Sequence, residues 1–213
     1  MTIRLNGSTS GYTEIDAPAV AGSNTLVLPT GNGSADQVLS TNGSGTLSFV
    51  DRGRMVLETA KAYNWNGLST NTSLDFTGIP SWVKKITVMF QGVSTSGTSN
   101  YLLQIGDSGG IETSNYLGTV SNNAGTVSVF SSGYLLQPGS VVAAGIYHAQ
   151  MTLCNIDGNT WSVSGAVGRS DATNMNTFQG SKTLSGTLDR VRITTVNGTD
   201  TFDAGSVNLL LEG

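Results

Sequence analysis

The sequence predicts an all-β protein: a short, strand-rich N-terminal segment followed by a jelly-roll-like antiparallel β-sandwich. Three observations carry this. Glycine (28), serine (26) and threonine (27) fill well over a third of the 213 positions, a composition of turns and solvated strand faces rather than helices. Helical periodicity is almost absent. Turn pairs recur at Asn6-Gly7, Asn32-Gly33, Asn42-Gly43, Asn66-Gly67, Asp157-Gly158 and Asn197-Gly198, each between β-prone runs.

The same composition excludes whole classes. Charged residues make up 11%, against roughly 25% in typical soluble domains, and the Ala/Glu/Lys/Leu/Arg wealth of a helical bundle is missing. A net charge of -4 argues against nucleic-acid binding. Hydrophobic residues at 38% argue against disorder. No apolar run reaches the roughly 18 residues of a membrane-spanning helix, so no membrane insertion is expected. The one cysteine, Cys154, forms no intrachain disulfide. The opening residues show no basic-then-apolar signal segment. Together these features suggest a protein built inside a cell and used outside it.

Along the chain, the composition divides near residue 53, giving segments 1–53 and 54–213. The first contains short candidate strands at 2–5, 12–16, 24–28, 37–40 and 46–50. It holds one Phe and one Tyr, too little apolar surface for about 50 residues to fold alone. It is therefore expected to pack on the following domain, wrap with copies of itself or dock on a larger body. Residues 54–63 read as a strand, being under three turns and uncapped. Ile86, Val88 and Phe90 alternate onto one face after Pro80, which begins that strand rather than sitting inside it. Further strands are expected at 101–105, 127–130, 149–154, 161–167, 188–195 and 207–211. In the 188–195 strand the favoured register turns Val191 and Ile193 inward and leaves Arg190, Arg192 and Thr194 outward.

Chemistry-bearing residues are few. His148 is the only histidine, and six strand positions separate it from Cys154, roughly 20 Å on one face, which excludes a nucleophile pair. Cys154 reads as a small core residue, and no zinc site is expected. Asp107-Ser108-Gly109-Gly110 and Asp157-Gly158-Asn159 read as turn chemistry, without the ligand spacing of a calcium loop. Asp189, Arg190 and Arg192 read as a surface ion-pair cluster. No carboxylate pair stands out for glycosidic cleavage, and no glycine-rich loop opens a helix to cradle phosphate. No catalytic residue and no cofactor is assigned. Among the aromatic residues, Trp82 and Trp161 adjoin strand-like runs and are expected in the core. Trp65, within Tyr63-Asn64-Trp65-Asn66-Gly67, sits in turn-like surroundings, so Trp65 and Tyr63 are the candidate glycan-stacking rings.

The stretches Leu5-Asn6-Gly7-Ser8-Thr9-Ser10-Gly11-Tyr12, Thr25-Leu26-Val27-Leu28-Pro29 and Gln37-Val38-Leu39-Ser40-Thr41-Asn42-Gly43 resemble a segment common in tail and virion proteins of marine bacteriophages, cyanophages especially. Phe76-Thr77-Gly78-Ile79-Pro80, Ile105-Gly106-Asp107-Ser108-Gly109-Gly110 and Leu184-Ser185-Gly186-Thr187-Leu188-Asp189-Arg190 resemble a second phage module. The two cover nearly the whole chain and bring no catalytic motif. The resemblance implies a non-enzymatic virion structural protein, located on the particle. Its expected form is a tail fibre or appendage, attached to other virion proteins through residues 1–53. A homotrimer is the implied assembly, and a host-surface glycan the implied ligand of the sandwich. A capsid decoration or knob protein is the alternative, and a polysaccharide depolymerase a third reading.

Overall fold

The computed structural model describes residues 3–16, 18–20, 22–35, 37–62 and 71–213. It divides into two compact units, Met1–Arg52 and Gly53–Gly213. Every element in both is β.

In the first unit β1 (Ile3–Asn6) and β2 (Tyr12–Ile15) form an antiparallel ribbon. The register places Arg4 opposite Glu14 and Ile3 opposite Ile15. One face is held by charge: Arg4 Nε donates to Glu14 Oε1 at 2.6 Å, and its guanidinium lies 4.0 Å from the centre of the Tyr12 ring. The other face presents Ile3, Leu5 and Ile15, each more than half exposed. A second ribbon pairs β3 (Gln37–Thr41) with β4 (Leu47–Asp51). Its turn is closed as Asn42-Gly43 implied: Gly43 adopts a φ of 80°, and Asn42 Oδ1 accepts from the Ser44 N–H at 2.8 Å. The strand expected over 24–28 is reduced to a single parallel bridge between Val27 and Thr46. No described side chain of this unit is buried.

The second unit is a two-sheet sandwich. Its strands are β5 (Met55–Leu57), β6 (Lys61–Ala62), β7 (Ser73–Thr77), β8 (Lys85–Thr95), β9 (Tyr101–Asp107), β10 (Gly110–Ile111) and β11 (Leu117–Asn122). There follow β12 (Val127–Val129), β13 (Tyr134–Leu135), β14 (Tyr147–Asp157), β15 (Thr160–Arg169), β16 (Met175–Thr183), β17 (Arg190–Thr195) and β18 (Phe202–Glu212). The small sheet runs β10-β9-β17-β7, with β13 also on β9, and the large one runs β12-β11-β16-β15-β14-β8-β18-β5, with β6 also on β18.

Eight of these strands give the topology its name. Taken in chain order, β7, β8, β9, β11, β12, β13, β16 and β17 lie as first–eighth–third–sixth in the small sheet. In the large sheet the order is second–seventh–fourth–fifth. That is a jelly roll, enlarged by the β14–β15 hairpin inserted between its second and seventh strands and by β18 outside the second. Of residues 54–63, expected as one strand, the described 54–62 supply two short ones, β5 and β6, that border β18. Pro80 lies in the turn before β8, where the Val83 N–H donates to its carbonyl at 3.0 Å.

One apolar core fills the space between the sheets. Ile86, Val88 and Phe90 of β8 are all buried, each fully buried aliphatic or aromatic side chain contributing about 1.5–3 kcal/mol. Val191 and Ile193 are buried in the expected register, with Arg190 and Arg192 on the solvent side. Thr194 departs from expectation: it shares the arginine face but is buried, its hydroxyl donating to the Thr72 carbonyl at 2.8 Å. Trp161 is buried, and Trp82 packs half-buried against the core.

Cys154 is a correction. It is exposed, because Met151 and Leu153 take the inward side of β14 and alternation turns position 154 out. His148 points the same way from the far end of the strand, and the two do not meet. The His148 Nδ1 accepts from the Gly92 N–H at 3.4 Å, and its Nε2 lies 3.3 Å from Ser170 Oγ.

Candidate functional site

The candidate glycan-stacking residues Tyr63 and Trp65 lie outside the described residues. Four tyrosines of the sandwich, Tyr101, Tyr116, Tyr134 and Tyr147, are all at most 1% exposed and offer no ring face to a ligand. They form two edge-to-face clusters: Tyr101 on Tyr147 with centres 5.2 Å apart, and Tyr116 on Tyr134 at 4.9 Å. Burial pushes the phenols of Tyr101, Tyr116 and Tyr134 far above their ordinary range, so they stay neutral.

The polar side chains that do converge lie on the outer face of the small sheet. Adjacent strands β7 and β17 place Asp75 opposite Arg192 and Thr77 opposite Arg190. Strand β10 adds Gly110 and Ile111, the chain just after it adds Thr113, and the seven residues line a basin of about 260 Å³. Arg192 clamps Asp75 in a two-pronged contact, Nε to Oδ1 at 2.6 Å and Nη2 to Oδ2 at 2.7 Å. Arg190 grips Asp189 the same way at 2.6 and 3.1 Å, and its Nη2 reaches the Ser108 carbonyl at 3.4 Å. The carboxylate partners raise both guanidinium pKa values from an already high range. The expected cluster of Asp189 with both arginines is thus two separate pairs, since register hands Arg192 to Asp75.

The basin has one fixed wall. Asp107 accepts the Gly109 N–H at 2.8 Å, the turn chemistry read from the sequence, and also the Ser185 hydroxyl at 2.6 Å. These bonds, Ser185 first, hold its carboxyl below the ordinary range. The Ser185 N–H donates to Glu112 at 2.6 Å, and the buried Lys182 ammonium pairs with Glu112. Burial pushes the Glu112 carboxyl up, but these donors win and hold it down. The Tyr116 hydroxyl accepts from the Ile105 N–H at 2.8 Å and lies 2.9 Å from the Glu112 carbonyl. The 107–113 turn is therefore tied to the 182–185 segment by bonds reaching across about 75 positions of sequence.

Such an arrangement is suited to holding a hydroxylated or anionic ligand. Asp75 accepts, the guanidiniums donate, Thr77 and Thr113 do either, and Ile111 supplies an apolar flank. The partner that reveals the basin, Asp75, sits on β7, where the sequence had marked no strand. The signal within reach was the outward Arg190-x-Arg192 spacing on a strand whose intervening residues are buried. Among the described residues no group of three or more His, Cys, Asp or Glu is placed to hold a metal ion. Comparison with protein-family models, with curated proteins and with solved structures finds no match to this chain.

Proposed function

We propose that this protein is a non-enzymatic virion component of a bacteriophage. The first unit fastens it to other particle proteins, and the sandwich displays a polar basin to a host-surface glycan. One observation carries the reading: the sandwich has a complete core of its own, whereas no described side chain of the first 52 residues is buried. A stretch that leaves Ile3, Leu5, Ile15, Leu26 and Leu28 more than half exposed gains its stability from something it joins. The hydroxyl-rich, disulfide-free sandwich and the resemblance to cyanophage tail and virion segments support the same reading. A tail fibre or appendage is the favoured position, a homotrimer the expected assembly, and binding without bond cleavage the mechanism. A single shallow basin supports a millimolar contact, about 4 kcal/mol, which display in many copies strengthens by a factor of roughly 10² to 10⁴.

The test has two arms. Antibody labelling of intact particles is expected to mark the tail; label spread over the shell supports the capsid decoration alternative instead. Purified protein on a biosensor is expected to retain host surface polysaccharide, with Arg192→Ala and Asp75→Ala each reducing retention at least tenfold while leaving the thermal midpoint within a few degrees. Retention unchanged in both variants removes the basin from the reading, and new reducing ends in the polysaccharide would establish a depolymerase.

A further inference from the structure

The two outer faces of the sandwich differ in charge. The small sheet carries Asp75, Arg190 and Arg192 outward. The large sheet, eight strands wide from β12 to β5, carries almost none. One outward row runs through Thr119, Gln179, Ser164 and Thr152, then through Thr87, itself buried, from Val129 at one edge to Leu57 at the other. The next runs through Ser121, Thr177, Ala166 and Gln150, starting from Val127. Neither row contains an ionised side chain. The Lys85–Glu212 pair, 2.9 Å apart, stands in a third row near the β5 edge. In the sequence, no Asp, Glu, Lys or Arg occurs from Thr113 to Ile156.

Solvated sheet faces and exposed edges ordinarily carry charge, which keeps neighbouring molecules apart. Here the edge strand β12 is bordered instead by Val127 and Val129, 63% and 78% exposed, with Leu117 and Met175 exposed on β11 and β16 beside it. The face thus shares with interface cores their depletion of charge, and those apolar side chains are gathered along the β12 edge.

We infer that the outer face of the large sheet is the surface through which the protein packs against a second copy of itself. A second copy fits for two reasons. Each chain has a net charge of -4, so two copies repel except where they meet through a nearly neutral face, and the ions on these three rows are Lys85 and Glu212, which pair with each other at the margin. Area agrees as well. Eight strands about 4.8 Å apart and three outward rows about 6.8 Å apart span roughly 700 Å². Covered on both partners, that is about 1,400 Å², within the roughly 1,200–2,000 Å² of stable, specific interfaces. Packing there leaves the basin of the small sheet, on the opposite side of the sandwich, open. The inference stands whatever the basin binds.

Light scattering of the full chain after gel filtration at micromolar concentration is expected to give a multiple of 22.0 kDa. The double variant Gln150→Arg/Ser164→Arg puts two cations at the centre of the face, on exposed side chains, and is expected to run as the single 22.0 kDa chain with an unchanged far-UV spectrum. Should that variant fail to fold, Thr177→Lys alone, also exposed, makes the same demand. A wild-type protein of 22.0 kDa, or folded variants that keep the wild-type mass, would overturn the inference. So would loss of the assembly in Ile3→Asp/Leu5→Asp with the arginine variant still assembled, since the interface would then lie in the first unit.

Discussion

Gly165 shows how a residue with no side chain shapes this core. It occupies an inward position on β15, between Val163 and Val167. A Cβ there would lie 2.8 Å from the Phe178 ring and 2.9 Å from Met151 Cγ. The glycine is the space those two side chains fill. Gly165→Val is expected to cost about 1–3 kcal/mol by overpacking, read as a lower urea midpoint with an unchanged slope. Gly205 has a different reason: it sits at a register shift in β18 with a φ of 81°, facing the Gly92 backbone of β8. Acidic residues set the pH behaviour. The carboxyls of Asp107 and Glu112 are held below their ordinary range in the folded protein. The unfolded chain therefore binds protons first as pH falls, so this stabilisation is present at neutral pH and lost below about pH 4. Asp107→Asn is expected to lower the thermal midpoint at pH 7, the gap to wild type closing as the buffer is taken to pH 3. A gap that stays constant with pH would contradict the assignment.

At the level of strands, what the sequence disclosed depended on which side chains cover each strand. β8, β14, β15 and β17 carry their own alternating apolar residues, such as Ile86, Val88 and Phe90, and were readable for that reason. β11 and β16 were not. At their inward positions they pair Gly118 with Gly180, and the cover over both glycines is the ring of Phe130, 3.0 Å from where a Cβ of Gly180 would stand. The apolar signal thus sits outside the strands it completes, just past β12. β7 was hidden by Asp75, whose partner Arg192 is 117 positions away, and the basin went unseen with it. Cys154 was misplaced because a residue type usually buried met an outward register. Phe130→Ala is expected to cost about 3–5 kcal/mol and to loosen β11, β12 and β16 first, seen as faster amide exchange there than in β8 or β14.

Across the whole molecule, burial is unevenly divided. The sandwich contains all of the buried hydrophobic residues described, from Phe76 to Leu211. Among its described residues the first unit has two hairpins and one isolated bridge, and two-stranded ribbons are marginal by themselves in water. That inequality was legible in composition, since few large apolar residues precede position 53. The jelly-roll order was not, because it depends on which distant strands pair. It follows that the second unit has the material to fold alone and the first does not. The most direct measurement is thermal melting of a purified fragment comprising residues 1–52, followed by circular dichroism in dilute buffer. A gradual, non-cooperative change at every concentration is the predicted result. A sharp, reversible transition from a fragment of monomeric mass would contradict the account.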